Sequence, residues 1–140
     1  DLNGRGITTE IWSVTSYGEL RREGLEFERI KRFDPKHEGV PYVEACFGDG
    51  VPTVAASDYI AAVPEMIQRW MKGEFLPLGT DGFGRSDTRE ELRRFFEVDS
   101  DSIVLASISL LERQGAIPPG SSASFAEEAG LSYERKDVTL

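Results

Sequence analysis

A chain of 140 residues with 39% apolar content is long enough for one domain with a modest core. Its formal net charge of −9 argues against nucleic acid and anionic membrane surfaces, which recruit basic patches. No apolar run approaches the length of a membrane span, residues 1–5 lack the basic start and apolar core of a signal peptide, and Cys46 is the sole cysteine, which fits a reducing cytoplasm.

Ile7 to Val14 (ITTEIWSV) is rich in β-branched and aromatic residues and reads as a buried strand. Ser16 and Glu19 have capping-box spacing at the start of a helix. Tyr17, Leu20, Gly24, Phe27 and Ile30 form its apolar stripe, and Gly24 implies a close approach to the sheet. Phe33 to Gly50 is a connector punctuated by proline and glycine, in which Val40 to Phe47 is open between a short amphipathic turn and an edge strand. Val51 to Ala56 is a second strand. Ser57 or Asp58 caps a helical face traced by Tyr59, Val63, Met66, Ile67 and Trp70, with the helix proper starting near Pro64 and ending at Gly73. Phe75 to Leu78 is a third strand.

That strand feeds Gly79-Thr80-Asp81-Gly82-Phe83-Gly84-Arg85-Ser86-Asp87-Thr88-Arg89, a glycine-rich loop that opens a helix with Leu92, Phe95 and Phe96 inward. Asp87 and Glu90 form a second capping-box candidate. Asp99-Ser100-Asp101-Ser102 starts a further helix with Ile103, Val104, Ile108 and Leu111 on its apolar face, and Gly115 is its C-cap. From Gly120 the tail is polar and rich in small residues, either mobile or docked on something outside this chain. Alternating strands and helices imply a parallel sheet with right-handed crossovers, an α/β three-layer sandwich.

The usual chemical constellations are absent. His37 is the sole histidine, beside Pro35 in a loop, and reads as solvated. One Cys and one His do not make a metal site. Counting an EF-hand from Asp81 places Phe83, Arg85 and Ser86 where acids and glycine are required, so calcium is rejected. Gly82-x-Gly84 continues to Asp87 and fails as a dinucleotide fingerprint. Cys46 beside Phe47 reads as a packed small side chain. The glycine loop itself, with Asp81, Phe83, Arg85, Ser86 and Asp87 as candidates, keeps two readings. In one, its amides and Arg85 meet an anion or a partner's carboxylate. In the other, Asp87 caps the helix, Asp81 pairs with Arg85, and Phe83 enters a neighbouring domain. The second is favoured because two acids flank the arginine and oppose an anion.

The run GTDGFGRSDTREELRRFFEVD, with EIWSVTSYGELRREGLE and VAASDYIAAVPEMIQRW before it, resembles the C-terminal domain of the homodimeric pyruvate dehydrogenase E1 family, a transketolase-like, thiamine-diphosphate-dependent group. The resemblance runs from about Gly6 to about Gly115. It implies a transketolase C-terminal-like domain over residues 1–120, lacking its first strand and helix, and a tail over 121–140. It implies a parent enzyme that decarboxylates pyruvate on thiamine diphosphate with Mg²⁺ and passes the acetyl group to the lipoyl group of the E2 acyltransferase. On that reading this piece is structural and inactive alone. It carries no catalytic, cofactor or metal residue and serves a cytoplasmic homodimer through contacts with the rest of the E1 polypeptide. The family's cofactor motif begins Gly-Asp-Gly, present here as Gly48-Asp49-Gly50, but needs an asparagine pair downstream, and the sole asparagine is Asn3. A connector turn is therefore the expectation. The alternatives are a transketolase or other 2-oxo acid dehydrogenase C-terminal domain, or a free-standing α/β interaction module without catalysis. An exposed sheet edge argues against the module.

Overall fold

The computed structural model describes residues 2–134. Its helices are α1 (Tyr17–Phe33), α2 (Tyr42–Phe47), α3 (Ala62–Glu65), α4 (Arg89–Phe95), α5 (Ser100–Arg113) and α6 (Ser121–Glu128), with 3₁₀ turns at Asn3–Arg5 and Gln68–Trp70. Strands β1 (Thr53–Ala56) and β2 (Phe75–Leu78) pair in parallel, from Thr53 opposite Phe75 to Ala56 opposite Leu78. Two parallel strands joined through a helix are the α/β unit that the alternating pattern predicts.

The sheet is narrower than expected. Among the described residues it has two strands, and Ile7 to Val14 forms none. Strand propensity measures how well a residue suits a pleated, half-buried surface beside a partner. Here no neighbouring strand supplies a ladder: Ile11 is 91% exposed, and Trp12 only touches Phe47 edge-on at 5.1 Å.

Helix α1 starts as the spacing predicts, with the Glu19 amide donating to Ser16 Oγ at 3.2 Å. The reciprocal half of the box gives way to a surface pair, since the Glu19 carboxylate engages Arg22. Gly24 does mark a close approach, but to the indole of Trp70 and not to the sheet: a Cβ there would lie 2.6 Å from Cζ2. The open segment 40–47 resolves as α2. Its N-cap, Pro41, offers no side-chain acceptor, and α1 supplies one, with Glu23 Oε2 accepting from the Tyr42 amide at 3.0 Å.

The long helix expected after β1 is broken in two. Tyr59 stays 71% exposed, and regular structure is confined to α3 and the 3₁₀ turn at Gln68–Trp70, which bring Pro64, Ile67 and Trp70 inward. Pro64 falls in the first turn, where its missing N–H leaves no bond unmade. The cap of α4 lies one residue later than predicted: Thr88 Oγ1 accepts from the Glu91 amide, while Asp87 accepts from the Thr88 amide at 2.8 Å. Helix α5 starts at the predicted place, Asp99 Oδ1 accepting from the Ser102 amide at 2.9 Å. It ends on left-handed Gly115, whose amide reaches the Glu112 carbonyl while Ala116 reaches Leu111, a Schellman pair.

The segment beyond Gly120 finds its partner inside the chain. Helix α6 packs along α5 and buries Phe125. Glu112 at the end of α5 accepts from the amides of Gly120 (2.6 Å) and Ser122 (2.8 Å), so it caps the incoming helix. Arg5 closes the arrangement from the other end of the chain, bonded to Glu128 at 2.8 Å and lying over the Phe125 ring. Residues 135–140 of the predicted tail lie outside the described residues.

Two apolar clusters result. One centres on Val43, Ile67 and Trp70, with Tyr17, Leu20, Leu25 and Phe75 against it. The other centres on Val104, Ile108 and Phe125, with Leu2, Ile7 and Leu131 against it.

Candidate functional site

Parallel α/β sheets place their sites beyond the carboxyl ends of the strands. Here that edge is built from Ser57 to Ala61, after β1, and from Gly79 onward, after β2. The pairing continues past the strands. The Ser57 amide donates to the Leu78 carbonyl (3.0 Å), and the Thr80 amide donates to that of Tyr59 (2.9 Å). The Thr80 hydroxyl donates to the Asp58 carbonyl at 2.8 Å. Gly79 is required for this closeness, because a Cβ there would meet the Ala61 nitrogen at 2.3 Å. Asp81 then accepts from the Ala61 amide at 3.3 Å, anchoring the loop to the start of α3.

Past Asp81 the loop leaves the body. Residues 81–91 are all exposed, Gly82 takes φ 115°, and Phe83 stands 78% exposed. The predicted Asp81–Arg85 pair is not formed. Asp81 is held by Ala61, and the Arg85 guanidinium lies over the ring of Phe95, 4.2 Å from its centroid. An exposed backbone donor beside a short carboxylate offers a bond that orders few side-chain torsions, whereas a surface ion pair must hold a long arginine in place. Asp87 assists the helix start from outside the cap, and Ser86 is exposed.

The structure adds residues that the sequence reading passed over. A cleft of about 450 Å³ lies between the loop and α4, lined by Asp58, Thr80, Arg85, Arg89 and Arg93 over an apolar floor that includes Leu92 and Phe96. Arg93 reaches Asp58 at 3.9 Å. The fourfold spacing of Arg85, Arg89 and Arg93 was a legible signal for one face. Thr80 and Asp58 stood in the sequence only as a loop residue and a cap candidate; their place in the cleft depends on strand register.

The other chemical candidates settle into structural roles. Gly48 caps α2, Asp49 Oδ1 accepts from the Val51 amide at 3.1 Å, and Gly50 has φ 87°. Gly48-Asp49-Gly50 is thus a turn whose carboxylate serves its own backbone. This donor set does not fit thiamine diphosphate and its metal. His37 is half-buried against Phe27, 5.2 Å between rings, rather than solvated. Cys46 is a free, half-buried thiol. Among the described residues no three His, Cys, Asp or Glu side chains are grouped to hold a metal ion, and no helix is long and apolar enough to cross a membrane.

Comparison with known proteins bears on the same architecture. A family model described as the transketolase-like TK C-terminal domain matches residues 1–99. The chain is 42% identical over 135 residues to the pyruvate dehydrogenase E1 component of Mycolicibacterium smegmatis, and 42% identical over 138 residues to that of Pseudomonas aeruginosa. These alignments cover 95% and 96% of this chain but 14% and 16% of the relatives. The E1 component of Mycobacterium tuberculosis is 43% identical over 124 residues, 87% of this chain and 13% of that protein. The chain therefore spans about a seventh of the length of these relatives.

Proposed function

The chain belongs to the transketolase-like C-terminal domain family, of the kind carried by pyruvate dehydrogenase E1 components, and from that premise we propose that it performs the architectural part of such an enzyme. The longer polypeptide would decarboxylate pyruvate on thiamine diphosphate and Mg²⁺ and reductively acetylate the lipoyl group of E2, as a cytoplasmic homodimer. This segment holds neither the cofactor nor a reacting group. It contacts the rest of the E1 polypeptide and completes the dimer, with Asp81, Phe83, Arg85, Ser86 and Asp87 as the contact loop.

The observation that carries this reading is how the loop uses its polar groups. Asp81 and Asp87 both accept from backbone amides of this chain, and the loop projects a large apolar side chain, Phe83, into solvent. Both carboxylates are thereby turned to this chain's own backbone, and a large apolar side chain standing out at a loop tip gains by burial in a neighbouring surface, which removes its area from water. The test is Phe83→Asp in the full-length polypeptide, followed by sedimentation velocity. Dissociation or loosened assembly is expected. Unchanged sedimentation would remove Phe83 from the interface, and pyruvate turnover by the 140-residue chain alone would remove the architectural role.

A further inference from the structure

The cleft behind the loop tip concentrates positive charge, on Arg85 of the loop and on Arg89 and Arg93 of α4. The chain holds 25 Asp and Glu against 16 Lys and Arg, yet three arginines and a single acid, Asp58, line this cleft. Arg93 is the partner of Asp58. Arg85 and Arg89 have no carboxylate within ion-pair distance among the described residues. The acids flanking Arg85 in sequence, Asp81 and Asp87, do not line the cleft; their carboxylates are turned to the amides of Ala61 and Thr88.

The arginines are also prepared for a ligand. Contact with the Phe95 ring, 4.2 Å from its centroid, restrains the Arg85 guanidinium beside the cleft. Arg89 and Arg93 lie one turn apart on α4 and share a face. Gly82 and Gly84 border the cleft with backbone alone, so a ligand meets no side-chain barrier there. The cleft volume of about 450 Å³ is the size of a small-molecule site. We infer that this cleft binds a small phosphorylated compound, its phosphate held by Arg85 and Arg89 and its remainder resting on Leu92 and Phe96. A phosphate group has oxygens enough to take a paired bond from each of two guanidinium forks and carries more charge than one carboxylate, which favours it where two arginines converge.

The test uses the full-length polypeptide, saturated with thiamine diphosphate and magnesium so that any other diphosphate site is filled. Inorganic pyrophosphate is titrated into it by calorimetry. Saturable binding is expected, weakened by about tenfold or more in Arg85→Gln/Arg89→Gln and reduced by added salt. Arg29→Gln, which alters an exposed pair on α1, is expected to leave it unchanged. Arg85→Lys/Arg89→Lys, which keeps charge without the fork, is expected to fall between. Thermal melts matching the wild type establish that the variants are folded. No saturation by about 10 mM pyrophosphate would overturn the assignment. So would equal binding by the double glutamine variant, or citrate bound as tightly as pyrophosphate. This assignment rests on the cleft and not on the assembly role of the loop, and sedimentation velocity on the same variants keeps the two apart: weakened binding in protein that sediments as the wild type is expected, and binding that falls only where sedimentation also changes would overturn the assignment.

Discussion

The two apolar clusters are built by different means. The cluster around Trp70 gathers side chains from α1, α2, the 3₁₀ turn and β2, segments far apart in sequence, and closes by direct backbone-to-ring contact at Gly24. The cluster around Phe125 lies between two helices, α5 and α6, adjacent in sequence, and is finished by Leu2 and Ile7 from the opposite end of the chain. The family match ends at residue 99, where α5 begins, so the second cluster is made largely of residues outside it. Yet α5 also packs on β1, which makes the later helices part of one body with the sheet. The first region is fixed by packing that leaves no room for a methyl group. The second is fixed by packing plus charge at its ends, through Glu112 and the Arg5–Glu128 pair.

Trp70 is the side chain on which the first cluster depends most. Trp70→Ala empties the centre of the first cluster, and a loss of about 3–5 kcal/mol is expected in chemical denaturation, with the whole domain affected. Phe125→Ala is expected to cost about 3 kcal/mol. Its effect is local: hydrogen exchange should accelerate over 121–128 while amides of α1 keep their protection. Equal acceleration in α1 would mean that the clusters are one cooperative unit. Gly24→Ala sharpens the contrast by adding a single methyl against Trp70, and is expected to destabilise by about 1–3 kcal/mol in the same assay. Neutral behaviour there would show that the indole can retreat.

The smallest expected effect is electrostatic. The Ser122 side chain first, then the amides of Gly120 and Ser122, hold the Glu112 carboxyl below its usual value of 4.5. A lowered folded value means that the contribution is complete above that usual value and is lost as pH falls through the folded one. Wild type should therefore melt above Glu112→Gln at neutral pH, and the gap should close below about pH 4.5. A gap that persists at lower pH would assign the difference to packing.

Much of the frame was readable because its causes are local. Ser16, Asp99 and Gly115 act within a few residues of the turns they cap, and Phe75 to Leu78 is a short apolar run between glycines. What escaped depended on distant segments. Three helices without a cap side chain of their own, α2, α3 and α6, receive carboxylates from elsewhere, namely Glu23, Asp81 and Glu112. No spacing rule reveals such an acceptor. The same is true of the site. Asp81, Phe83 and Arg85 were singled out by composition, but their partners Ala61 and Phe95 follow from strand register and the path of α4. Ile7 to Val14 misled for the opposite reason: its local preference is for strand, and the described fold offers it no neighbour.

The role proposed for this segment is to shape an enzyme without taking part in its chemistry. The most direct measurement is single-turnover decarboxylation of pyruvate by the full-length, assembled polypeptide carrying Asp81→Ala, Arg85→Ala or Asp87→Ala. Rates within about twofold of the wild type are predicted, since the proposed role keeps these groups away from the reacting atoms. A fall of about a hundredfold or more, in protein shown to be assembled and cofactor-loaded, is the scale of a lost acid or base and would contradict the claim.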